Sequence, residues 1–190
     1  MVAMSQSTSP YAQRSYAGMI GAMIVAVVVA GGWYLIGRPN DDVKPIVGVE
    51  WTPQVRAARA DGALLIYAPD ALPTGWKARE ARYLTGSEPS WHLAILTAEG
   101  KYVGIDESRL SVAKLVAENV DKNADQGRDV TINGEVWQSW TDSGGDYALT
   151  RSVEQGQLVV DSVIVFGSAP DQEIIDFAKT LKTGSVDLTR

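Results

Sequence analysis

Cysteine is missing from all 190 residues. Its absence excludes disulfides, thiol catalysis, iron–sulfur ligation and lipid attachment at an N-terminal cysteine. Histidine occurs once, at His92, so a metal site built from several histidines is excluded as well. Basic charge is scarce. Residues 39–190 hold fifteen of the seventeen Lys and Arg side chains and all twenty-three Asp and Glu, a formal charge of −8. Such a surface favours solubility and suits neither nucleic acid nor an anionic membrane. No phosphate-binding glycine loop, dinucleotide fingerprint or zinc-protease helix occurs, and no internal repeat. Long apolar runs are absent too, with one exception.

The exception is Ala17–Ile36, AGMIGAMIVAVVVAGGWYLI, twenty residues without a charge. As a helix it spans about 30 Å, the thickness of a bilayer's hydrocarbon core. It is longer than a signal-peptide core and leaves through Gly31-Gly32-Trp33-Tyr34 without a small-x-small cleavage site before Arg38. The reading is an uncleaved anchor at 17–37, with Trp33 and Tyr34 at the interface. Arg14 on one side and Arg38 with Lys44 on the other nearly balance. A short tail inside and a translocated domain is the orientation we expect. Gly18, Ala22, Ala26 and Ala30 recur every fourth residue, a small-residue stripe against which another membrane helix can pack.

Residues 1–16 read as a tail, 38–50 as a proline-containing linker, 51–185 as one folded domain and 186–190 as a second tail. Thr52-Pro53 opens a helix that Gly62 ends, with Thr52 as its capping side chain. Strands are expected at Trp76–Leu84, Trp91–Thr97, Tyr102–Asp106, Val130–Ile132, Glu135–Thr141, Tyr147–Val153 and Leu158–Phe166. Asn133-Gly134 is a strong hairpin signal. Ser143-Gly144-Gly145-Asp146 is read as a turn, since it lacks the setting of a nucleophile elbow. One helix covers Ser111–Val120. Another starts near Pro170 with Ser168 as its cap, buries Ile174, Phe177, Ala178 and Leu181, and stops at Gly184.

Tight turns force antiparallel pairing. The fold class is therefore α+β: one antiparallel meander of six or seven strands flanked by two or three helices, and preceded by one transmembrane helix. A layered sandwich of the PsbP or Mog1 kind meets this description at the level of topology.

Four segments occur in order after the apolar run: Leu72-Pro73-Thr74-Gly75-Trp76, Trp91-His92-Leu93, Gly134-Glu135-Val136-Trp137 and Val163-Ile164-Val165-Phe166-Gly167. Through them the chain resembles an actinobacterial family of anchored proteins catalogued as domain of unknown function 4245. The likeness covers nearly the whole chain from the apolar run onward. It implies a bacterial envelope protein with its domain outside the cytoplasmic membrane, and it supplies no activity.

Candidate site residues follow from chemistry. On a strand Trp91 shares a face with Leu93 and Ile95, and His92 the other with Ala94 and Leu96. His92 is a possible acid or base only if a partner orients it, and Asp106 and Glu107 lie in the same hairpin. Trp137 and Trp140 face opposite ways. Trp76, Trp91, His92 and Trp137 are the residues from which a ligand-stacking pocket could be built; core packing is the competing use of the same tryptophans. Asp121–Asp129 resembles a calcium loop. However, Gly127 falls one place late and Ile132 stands where a bidentate glutamate belongs. No metal and no cofactor is expected. The functional expectation is a non-enzymatic, membrane-anchored protein that binds another membrane protein as an accessory subunit. The alternative is a small-molecule or glycan-binding module with a Trp-lined pocket.

Overall fold

The computed structural model describes residues 48–155 and 158–184. The expected tail at 1–16, the span at 17–37 with Gly18, Ala22, Ala26 and Ala30, most of the linker and the tail at 186–190 lie outside the described residues. Among the described residues no helix is long and apolar enough to cross a membrane.

Helix α1 (Thr52–Asp61) buries Val55 and Ala58. Gly62 ends it at φ 69°, donating its N–H to Ala58 O, a conformation that costs glycine little. Thr52 is not the cap. Trp51 takes that position because its ring is buried in the core, and the Thr52 hydroxyl donates instead to Glu50 at 2.8 Å. The short strand β1 (Ala68–Pro69) follows, and then β2 (Lys77–Leu84), β3 (Ser90–Leu96) and β4 (Tyr102–Ser108). Helix α2 (Val112–Asn119) starts at Ser111, whose hydroxyl accepts from Lys114 N–H at 3.4 Å. Strands β5 (Asp125–Gln126), β6 (Val130–Ile132), β7 (Glu135–Thr141), β8 (Tyr147–Gln155) and β9 (Leu158–Gly167) complete the main sheet. Helix α3 (Asp171–Ala178) and strand β10 (Leu181–Lys182) come last.

Among the described residues the architecture is α+β: an eight-stranded sheet, all of its pairs antiparallel, with three helices. The sheet runs in the order β2-β3-β4-β9-β8-β7-β5, with β6 also paired to β7. It is not one meander. Two meanders, β2-β3-β4 and β7-β8-β9, join where β4 pairs with β9 from Gly104↔Phe166 to Ser108↔Ser162. Turn residues identify neighbours that are adjacent in sequence. This pairing is long-range, and burial on both faces selects it, since Val163, Ile164 and Val165 are all inaccessible to solvent. A Cβ on Gly104 would lie 2.7 Å from the Phe166 ring, so the junction requires glycine there.

One face of the sheet carries Leu93, Ile95, Ile105, Leu149 and Val165 against α1, α3 and the segment Leu64–Ala68. The other carries Ala148, Ile164 and Phe166 against Leu115 and Val116 of α2. The end of α3 departs from the expected helix. Phe177 O accepts both the N–H and the hydroxyl of Thr180, at 2.9 and 2.7 Å, and stops the helix. Leu181 then pairs with Pro69 in the two-stranded ribbon β1-β10 and is buried there. Ser168 does not cap α3; its hydroxyl accepts the Tyr102 N–H.

Candidate functional site

Alternation along β3 and β7 decides where the candidate residues stand. Trp91 turns into the larger core, 1 % exposed, and donates its indole N–H to Tyr67 O at 3.2 Å. Trp137 is equally buried and meets the Tyr67 ring edge-on, with centroids 5.7 Å apart. Trp76 is half-buried against Phe177, 5.4 Å between ring centroids. His92 points to the opposite face. The four residues therefore do not converge on one pocket: the three tryptophans pack a single core, where full burial of a large apolar side chain is worth about 1.5–3 kcal/mol each, and His92 stands across the sheet from them.

On its own face His92 belongs to a row of cross-strand neighbours running Arg82, His92, Asp106, Ile164, Thr150 and Gln138. Its Nδ1 is bonded to the Asp106 carboxylate, both side chains being less than a quarter exposed. That bond raises the imidazole above its ordinary range, against the opposing pull of burial. The Glu80 charge adds to the rise and Arg82 reduces it. Tyr102, also on this face, is pushed up to about 12, chiefly by burial and then by the Asp106 and Glu80 charges.

Glu107, the other carboxylate considered as a partner for His92, faces away from it. It is fully buried on the core face, directly across from Trp91. Its two carboxylate oxygens accept the N–H groups of Ile66 and Tyr67, at 3.1 and 3.0 Å. These bonds hold a coil segment inside the core, where unpaired backbone groups are costly. The same segment is strained, with Ile66 at φ 43°, an unfavourable conformation for a β-branched side chain. Burial pushes the Glu107 carboxyl up to about 7; the Tyr67 N–H pulls it down, and the nearby Asp161 charge lifts it further. Parity carries a signal for this placement, since Val103, Ile105 and Glu107 share one face of β4.

A second polar cluster bridges β7 and β8. Arg151 pairs with Glu135 at 2.9 Å and donates to the Tyr67 hydroxyl, which itself donates to Glu135 at 3.4 Å. Burial is the main cause that pushes the Tyr67 phenol up to about 12. Beside this cluster lies a groove of about 410 Å3, lined by Asp129, Val136, Gln138, Thr150, Arg151 and Ser152. Thr150 is held in place by the Trp140 indole, which donates to its hydroxyl at 2.8 Å. Asp129 ends the stretch that resembles a calcium loop and Val136 lies in a segment that carries the family resemblance, but nothing in the sequence joined the six lining residues, because the groove depends on how far β7 and β8 stay paired.

Residues 12–181 match the family described as "Protein of unknown function (DUF4245)". The chain belongs to that family. All four segments that carry the resemblance fall inside the matched residues. In the structure of this DUF4245 member they supply Trp76 against α3, the Trp91–His92 alternation on β3, the Asn133-Gly134 hairpin into β7, and the doubly buried run of β9. No curated protein and no solved structure matches the chain.

Proposed function

We propose that this DUF4245 protein is a single-pass protein of the bacterial cytoplasmic membrane, N-terminus inside and folded domain outside, and that it acts without catalysis by binding another protein of the envelope. One observation carries the reading: a twenty-residue uncharged run with a small-residue stripe precedes, across a short linker, a folded domain, and residues 39–190 carry a formal charge of −8. A helix with such a stripe gains packing from a neighbouring helix, and a domain held at the surface is placed to hold the same partner. The burial of Trp91 and Trp137 supports protein binding over the Trp-lined ligand pocket, since neither ring is available for stacking. The His92–Asp106 pair fits a structural role within the row, whose neighbours on either side are Arg82 and Ile164. Helices on both faces of the sheet support placing the domain with the PsbP- and Mog1-like sandwiches.

The test is purification of the tagged full-length protein from its own membranes in mild detergent, with co-purifying chains identified by mass spectrometry. A stoichiometric partner, lost when Gly18, Ala22, Ala26 and Ala30 are changed to leucine, is the expected result. A protein that purifies alone refutes the accessory-subunit reading.

A further inference from the structure

Strands β7 and β8 part company before either of them ends. Their pairing runs from Thr141↔Tyr147 to Gln138↔Thr150 and stops, although β7 reaches back to Glu135 and β8 continues to Gln155. Over the missing rungs β7 pairs on its outer side with β6, from Val130↔Trp137 to Ile132↔Glu135. The Ser139 carbonyl accepts Gly127 N–H on that same outer side. Backbone groups alternate along an antiparallel strand, so Gln138 and Val136 turn theirs toward β8. By the same alternation Ser152, two residues beyond Thr150, turns its own toward β7. Val136 and Ser152 both lie past the last rung, and both line the groove.

The groove is thus bordered by two strand edges in the middle of a sheet. The side chains around it narrow the choice of occupant. Arg151 is already neutralised by Glu135 at 2.9 Å, which leaves no free cation there for a phosphate or a carboxylate. No aromatic ring is among the six lining residues, so a sugar finds no stacking platform. Val136 is 57 % exposed and offers an apolar contact. Asp129 is exposed at the groove and has no ion-pair partner among the described residues.

We infer that the groove between β7 and β8 binds an extended peptide segment carrying a lysine or arginine, whose main chain pairs with Val136 and Ser152 and whose cation meets Asp129. Strand edges give affinity through main-chain hydrogen bonds, and adjacent side chains give selectivity. Three missing rungs accommodate about 10 Å of extended chain. The inference rests on the protein-binding reading above and names the place where the partner docks.

The test uses the full-length protein in mild detergent and a phage-displayed library of random twelve-residue peptides. Selected peptides, resynthesised with a fluorophore, are measured by anisotropy against the parent protein, Asp129→Lys, Ser152→Trp and, as a control on the far edge of the sheet, Glu80→Lys. Selected sequences are expected to carry Lys or Arg. Asp129→Lys should weaken them about tenfold, while Glu80→Lys leaves them unchanged, and their binding should slow amide exchange at Val136 and Ser152. Asp129 is exposed, so its variant remains informative if Ser152→Trp fails to fold. Peptides indifferent to Asp129→Lys, no selected peptide at all, or binding of a neutral oligosaccharide in the groove in their place would overturn the inference. A co-purifying partner retained by Asp129→Lys would overturn the groove and spare the protein-binding reading. Groove-dependent peptides without any co-purifying partner would do the reverse.

Discussion

Replacing Glu107 by glutamine should cost less stability as pH rises. The Glu107 carboxyl is fully buried and is pushed up from its ordinary 4.5 to about 7. A carboxyl raised in the folded state holds its proton there after the unfolded chain has lost it. The unfolded state then binds fewer protons, and stability falls as pH increases between the two values. That difference corresponds to about 3 kcal/mol, of which about 2–3 kcal/mol accrues between pH 5 and pH 8. Glutamine does not titrate, but its amide nitrogen replaces one of the two oxygens that accept the Ile66 and Tyr67 N–H groups, so one buried donor loses its acceptor. At about pH 5 Glu107→Gln should therefore be less stable than the parent protein by about 1–3 kcal/mol. By about pH 8 the balance should have moved toward glutamine by about 2–3 kcal/mol, bringing the variant level with the parent or above it. Urea unfolding of both full-length proteins, followed through Trp91 and Trp137 fluorescence, measures the difference at each pH. His92 titrates in both proteins and cancels. A difference that stays constant with pH, or that turns against glutamine as pH rises, refutes the reasoning, because it would mean that the two N–H donors outweigh burial and keep the carboxylate ionised.

Asp106→Asn should return the single imidazole toward its ordinary range, which a one-residue NMR titration of His92 reads without assignment. Because His92 is raised in the folded state, the pair's contribution, about 1 kcal/mol, is present below about pH 6 and is lost as pH climbs through the folded value. A wild-type-like His92 titration in the variant would refute the pairing. Gly104→Ala puts a methyl group 2.7 Å from the Phe166 ring. It should cost about 1–3 kcal/mol by overpacking, seen as a lowered urea midpoint, and an unchanged midpoint would show that the β4–β9 junction is looser than described. Asn133→Ala places a side chain that tolerates it poorly at φ 52° and removes the amide bond to Lys179 O at 2.9 Å. Here about 1–2 kcal/mol should be lost, and Asn133→Gly should recover part of it by relieving the backbone alone.

Much of the fold was legible residue by residue. Asn133 and Gly134, at φ 52° and 84°, make the turn that their identities indicate. The helix expected over Ser111–Val120 forms at Val112–Asn119, with Leu115 and Val116 buried. Period-two alternation places Trp91 and Trp137 inside and His92 outside. What escaped local reading was settled by distant partners. Leu181 continues the apolar spacing of α3, yet it is buried as a strand residue because Pro69, far away in sequence, pairs with it. Ser168 is a good capping residue whose hydroxyl is bound to the distant Tyr102 instead, whereas Thr52 is diverted from capping locally, by Glu50. Of the candidate site residues, parity predicted the separation of His92 from its neighbour Trp91, and the structure extends it to Trp76 and Trp137. The partner that orients His92 is Asp106, and it could be chosen over Glu107 only once the register of β3 against β4 was known.

By itself the sequence determined the features that depend on neighbours within a few residues: turn positions, helix faces, strand alternation, the uncharged run at 17–36 and the acidic balance of residues 39–190. Each rests on φ/ψ preference, on apolar periodicity or on composition, which are local. Tertiary structure alone decided the joining of two meanders through β4 and β9, the meeting of Glu107 with the Ile66 and Tyr67 N–H groups, and the parting of β7 from β8 that opens the groove. Those features depend on which strand edges find each other across long stretches of chain. That choice is made by the burial and hydrogen bonding of the whole domain, and it leaves no mark at any one position.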